Sequence, residues 1–105
     1  MTMEMLCVRF YVEEGMRFER QPIGDWLFAQ AKTVGIPGGT AFRAAAGFGR
    51  HGLHEDHFFE LAGKLPEAVE FFAAPTAIDA LISRVGQAGL KLLYITYPVK
   101  AGVTG

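Results

Sequence analysis

The stretch Ala44-Ala45-Ala46-Gly47-Phe48-Gly49-Arg50-His51-Gly52-Leu53-His54-Glu55-Asp56-His57 concentrates the side chains of this sequence that could do chemistry. Gly47, Gly49 and Gly52 tolerate positive φ, so successive N–H groups there can turn toward one point. Such a nest binds anions, and Arg50 adds a guanidinium fork that matches carboxylate or phosphate. A glycine-rich segment leaving a strand is equally the composition of a plain mobile connection. His51, His54 and His57 recur at every third position, with Glu55 and Asp56 beside them. Imidazole and carboxylate together suit zinc or a similar divalent ion. The competing reading is three solvated histidines in a loop. No serine neighbours these histidines, and Glu55 and Asp56, adjacent in sequence, point their side chains apart. Cys7 stands far away inside an apolar run, where a cysteine acts as a small hydrophobe. No catalytic set emerges, and the expectation is a protein that is not an enzyme.

The bulk properties narrow the function classes further. The chain has 105 residues, which predicts one domain over residues 1–105. Half of the residues are hydrophobic and 20% are charged, the balance of a globular protein. Net charge is -1 and no Lys/Arg-rich segment occurs, so nucleic acid is not expected as a partner. A single cysteine allows no intramolecular disulfide. The N-terminal residues carry no basic region followed by a long apolar run, and no unbroken apolar stretch approaches about 18 residues. The expectations are no membrane span and a cytoplasmic location.

These candidate residues need elements to position them. Leu6 to Val12 is rich in β-branched and aromatic residues and predicts a first strand. Leu6, Val8, Phe10 and Val12 fall on one face; Cys7, Arg9 and Tyr11 fall on the other. Residues 15–21 read as a connection. Pro22 suits the first turn of a helix, and Ile23, Trp26, Leu27, Gln30, Ala31 and Val34 follow helical spacing up to Gly35. Gln30 is the one polar member of that stripe. Thr40 to Ala46 predicts a second strand, with Thr40, Phe42, Ala44 and Ala46 alternating with Ala41, Arg43 and Ala45. The segment from His57 to Lys64 is ambiguous between a helical turn and continued strand. Leu65 to Phe72 predicts a third strand, with Pro66 confined to its beginning. Pro75 opens a second helix in which Ile78, Leu81, Ile82 and Val85 share a face, ended by Gly86 and Gly89. Leu90 to Tyr97 predicts the last strand, closed by Pro98, with a loose tail from Lys100.

This order gives an α+β fold of the ferredoxin-like, split βαβ kind (βαββαβ): a four-stranded antiparallel sheet with two helices on one face. The other face would carry Arg9, Tyr11, Arg43 and either Glu67 or Glu70 among Cys7, Ala41 and Ala45. That mixture suits a face buried between subunits better than a wet one. The bland alternative is a one-sided sheet facing water. The small residues Ala44 to Ala46 would let a neighbouring subunit approach.

At the central loop the sequence resembles a known family. Gly47-Phe48-Gly49-Arg50, at the end of the second strand, looks like the start of the T-loop of PII signal-transduction proteins. Gly35-Ile36-Pro37-Gly38-Gly39-Thr40 resembles the turn before their second strand. The string Ala46-Gly47-Phe48-Gly49-Arg50-His51-Gly52, followed by Leu65-Pro66, is similar to an uncharacterised PII-like family, the DUF190 group, over nearly the whole chain. The resemblance implies a homotrimer with ligand clefts between subunits. In PII proteins the cleft takes ATP or ADP; Thr40, Gly47, Phe48, Gly49, Arg50 and His51 would line it here. The implied function is a regulatory protein that binds a small, anionic, nucleotide-like ligand and reports it through the loop to a target protein. The sequence departs from PII before the last strand, where Gly86-Gln87-Ala88-Gly89-Leu90-Lys91 stands in place of a lysine-rich phosphate loop. The alternative function is divalent-metal handling of the CutA type, through His51, His54 and His57.

Overall fold

The computed structural model describes residues 2–47 and 66–105. The chain runs β1 (Thr2–Glu13), β2 (Arg17–Phe18), β3 (Gln21–Pro22), α1 (Ile23–Thr33), β4 (Gly39–Arg43), β5 (Pro66–Ala73), α2 (Pro75–Gln87) and β6 (Tyr94–Gly102). Four strands form one antiparallel sheet in the order β4-β5-β1-β6. Both helices cover one face, which is the expected ferredoxin-like α+β arrangement.

The alternation in β1 decides which face is covered. Val8, Phe10 and Val12 are buried, and from β5 Val69, Phe71 and Ala73 join them. Ile23, Trp26, Leu27 and Ala31 of α1 and Ile78, Leu81 and Val85 of α2 close the core from above. Phe71 lies at its centre, edge-on to Phe10 at 6.4 Å and to Phe28 at 5.9 Å between ring centroids. Gln30, the polar residue of the α1 stripe, is accounted for: its Oε1 accepts from Arg84 Nε of α2 at 2.9 Å.

Both helices stop by the same device. Gly35 has φ +85° and its N–H donates to the Lys32 carbonyl, while Ile36 N–H donates to the Ala31 carbonyl. Gly89, also at φ +85°, and Leu90 repeat this with the carbonyls of Gly86 and Val85. A left-handed glycine followed by an apolar residue folding back is the Schellman ending. In α1 it drives Ile36 into the core and aims the chain at β4.

Several boundaries differ from the sequence expectation. The first strand is longer at both ends, because β6 runs beside it as far as Thr2↔Gly102. The last strand starts at Tyr94 rather than Leu90 and continues through Pro98 to Gly102, so the tail after Lys100 is in part strand. Pro98 is tolerated because β6 is an edge, where a missing N–H can face solvent. The second strand ends at Arg43, not Ala46, with one further ladder bond from Ala44 N–H to the Pro66 carbonyl at 3.0 Å. The connection over residues 15–21 holds a small hairpin, β2 with β3, that the sequence did not announce. Its turn residues Glu19 and Arg20 sit at φ 49° and 67° without being glycine or asparagine. The ambiguous segment from His57 to Lys64 lies outside the described residues.

Candidate functional site

The face away from the helices carries a polar cluster drawn from three strands. Cys7, Arg9 and Tyr11 of β1 point there, and the register places Arg9 opposite Glu70 and Cys7 opposite both Phe72 and Tyr97. Arg9 forms a salt bridge with Glu70, its Nε donating to Glu70 Oε2 at 2.6 Å. Tyr97 Oη donates to the same oxygen at 3.1 Å and accepts from an Arg9 terminal nitrogen at 3.3 Å. The guanidinium also lies 5.8 Å from the Tyr97 ring centroid and reaches Tyr11 Oη at 3.5 Å.

The environment shifts these groups. Tyr97 is pushed up to about 12 by its hydrogen bonding with Cys7, by burial and by the Glu70 carboxylate. Burial pushes the Cys7 thiol up, which keeps it protonated and unreactive at neutral pH. Hydrogen bonds to Tyr11 and Glu70 hold Arg9 firmly charged. A concavity of about 370 Å³ opens beside the cluster, with Phe42 and Ala68 across from Arg9 and Tyr97.

Sequence alternation had put Ala41 and Arg43 on this face. The pairing reverses that: Ala41 is opposite Val69 and Arg43 opposite Glu67, while Thr40 and Phe42 take the open side opposite Glu70 and Ala68. The helix-side residues of β5 set this parity, since directly paired residues share a face. Arg43 instead bridges Glu14 at 3.4 Å and Glu67 at 3.5 Å near the end of β4. Its side chain is 63% exposed, so these pairs add little stability.

Thr40 begins a second concavity, of about 390 Å³, shared with Pro37, Gly38, Gly39, Glu70 and Phe72. On the helix side of the same strand, Gly39 pairs with Phe71 and leaves the room its ring occupies. A Cβ there would stand 2.6 Å from Phe71 Cδ1, closer than packed carbon atoms come. Glu70 borders both concavities, so one carboxylate touches the Arg9 cluster and the Thr40 recess.

Of the residues named from sequence, Thr40 and Gly47 are described. Gly47 lies against Pro66: a Cβ on it would meet Pro66 Cγ at 3.1 Å. The chain therefore leaves β4 and enters β5 at one place. Phe48, Gly49, Arg50, His51, His54 and His57 lie outside the described residues. Among the described residues no group of three or more His, Cys, Asp or Glu is arranged to hold a metal ion. Nor is any helix among them long and apolar enough to cross a membrane. Sequence reasoning missed Tyr97 and could not choose between Glu67 and Glu70. Only the strand register brings Arg9, Glu70 and Tyr97 together from three strands.

Comparison with known proteins fits this geometry. The UPF0166 protein of Aquifex aeolicus (strain VF5) is 30% identical over 79 residues, which are 74% of this chain and 75% of that protein. CPII from Thiomonas intermedia K12, in a structure bound to ADP and bicarbonate, superimposes with a TM-score of 0.66 over 98% of this chain and 93% of CPII, at 12% identity. A putative PII-like signaling protein of Thermus thermophilus gives 0.66 over 95% and 91% of the two chains, at 14% identity. At such identity these structures speak for the fold, which is that of PII-like proteins. The family model described as "Uncharacterized ACR, COG1993" matches residues 5–101, and the chain belongs to that family, DUF190.

Proposed function

We propose that this chain is a PII-like regulatory protein. It assembles as a homotrimer, takes a small anionic ligand of the nucleotide class at a cleft between subunits, and reports the ligand to a target protein through the segment after β4. The observation that carries the reading is the Thr40 recess. It lies on the strand whose far end is followed by Gly47, in a fold shared along its length with a protein captured with ADP. A cavity of about 390 Å³ falls in the range of small-molecule sites. The Gly47-Phe48-Gly49-Arg50 sequence adds the anion-binding end. Glycine frees the N–H groups, and a guanidinium fits phosphate geometry. The half-exposed Phe42 and Phe72 on the open face support burial of that face in an assembly. The role is regulation rather than catalysis.

Calorimetric titration with ATP and ADP tests this, beside zinc and other divalent ions. Nucleotide binding should weaken about ten- to a hundredfold in Arg50→Ala, the loss expected for one charge-assisted hydrogen bond of about 1.5–3 kcal/mol. Zinc binding without nucleotide binding, abolished by replacing His51, His54 and His57 with alanine, would favour the metal-handling alternative instead.

A further inference from the structure

A third concavity lies on the opposite side of the molecule, on the outer surface of the helical layer. It measures about 380 Å³ and is bounded by Glu19, Trp26, Gln30, Arg84, Gln87 and Ala88. Its two charged residues are separately anchored. Arg84 is held by its Nε, which donates to Gln30 Oε1 at 2.9 Å. Its terminal nitrogens, two N–H₂ groups able to grip a carboxylate bidentately, take no partner among the described residues. Glu19 is held by Oε1, which accepts from Trp26 Nε1 at 3.3 Å. Its other oxygen likewise takes no partner among the described residues. No ion pair joins Glu19 to Arg84, although both line the same groove.

The backbone that presents Glu19 is costly. Glu19 and Arg20 both lie at positive φ, where a residue with a Cβ loses about 1–2 kcal/mol. Strain of this kind persists where surrounding structure fixes it, and it clusters at ligand-binding segments. Here the fixing contacts are the edge-on packing of Phe18 on Trp26, 4.9 Å between centroids, and the indole hydrogen bond itself. The last turn of α2 supplies the rest of the wall. Its carbonyl end carries partial negative charge, favourable to a cation.

We propose that this groove is a second ligand site, for a small zwitterion of the free α-amino-acid class. The carboxylate seats on the Arg84 terminal nitrogens, and the ammonium on Glu19 and the end of α2. Gln30 and Gln87 offer amide groups along the groove, and Trp26, 3% exposed, forms an apolar floor for a side chain. This site shares no residue with the Thr40 recess and stands or falls independently of it.

Trp26 is the only tryptophan in the chain, so its indole N–H gives one resonance reporting from inside the groove. Each proteinogenic amino acid is titrated to about 10 mM against the full-length ¹⁵N-labelled chain, with acetate and methylammonium as single-charge controls. At least one amino acid should shift the indole resonance saturably, while neither control does at equal concentration. Arg84→Met, on an exposed helical position that methionine suits, should weaken the response at least about tenfold. Glu19→Gln should weaken it comparably, since glutamine keeps an oxygen for the Trp26 N–H but loses the charge. Absence of a saturable shift with every amino acid overturns the proposal. So does an acetate or methylammonium response equal to the amino acid's, or undiminished binding in either variant.

Discussion

Glu70 is the residue on which the open face turns. It accepts from Arg9 and Tyr97 and borders two concavities at once. Tyr97 gives this cluster a measurable signature. Its proton is held more tightly in the folded chain than in the unfolded one, from an ordinary 10.0 to about 12. The stability that goes with a raised value is fully present below the unfolded value and is lost as pH rises through the folded one. Urea midpoints of the wild type should therefore hold steady toward pH 9 and fall between about 10 and 12. Tyr97→Phe should remove that part of the decline; an identical alkaline profile in the variant would contradict the assignment. Gly39 offers a second residue-scale check. Alanine there would press on the Phe71 ring, which is 1% exposed and borders a cavity of about 150 Å³. Overpacking of this kind costs about 1–3 kcal/mol, readable as a lowered midpoint without loss of cooperativity.

The elements obey local rules except at the hairpin. Paired Schellman endings at Gly35 and Gly89 were legible as glycine stops after an apolar stripe. The β2–β3 turn was not legible, because Glu19-Arg20 is the reverse of the Asn-Gly signal such tight turns favour. Relieving it gives a prediction. Arg20→Gly removes about 1–2 kcal/mol of left-handed strain and adds about 0.5–1 kcal/mol of unfolded-state entropy. The net expectation is a stabilisation of up to about 1 kcal/mol in denaturant titration, and a destabilised variant would show that Arg20 makes contributions beyond its backbone. The strand errors share one cause. Pro98 reads as a terminator in sequence, but at a sheet edge it costs no ladder bond. Likewise alternation within Thr40 to Ala46 gave the right spacing and the wrong face. Parity on an edge strand is set by its partner, here Val69 and Phe71, and not by its own side chains. For the same reason the open-face cluster was only partly readable: Arg9 follows from alternation in β1, whereas its meeting with Glu70 and Tyr97 follows from pairing across three strands.

At the scale of the whole molecule the two faces of the sheet differ in kind. One is sealed by helices. The other presents Phe42, Phe72 and Ile95, 52%, 50% and 40% exposed, around a half-buried ion pair. These exposed apolar side chains are what the proposed subunit contact would cover. Phe72→Lys should leave the fold intact, since half of the side chain already meets solvent, but should dissociate the proposed trimer in sedimentation experiments. A variant that sediments like the wild type would remove Phe72 from the contact.

The central claim is that copies of this chain associate and hold an anionic ligand between them. Native mass spectrometry of the full chain with ADP reads both halves together. The prediction is a trimer as the dominant species, carrying up to three ADP molecules, with the adducts lost in Arg50→Ala while the trimer persists. A monomer at micromolar concentration, or a trimer that takes up no ADP at millimolar concentration, would contradict it.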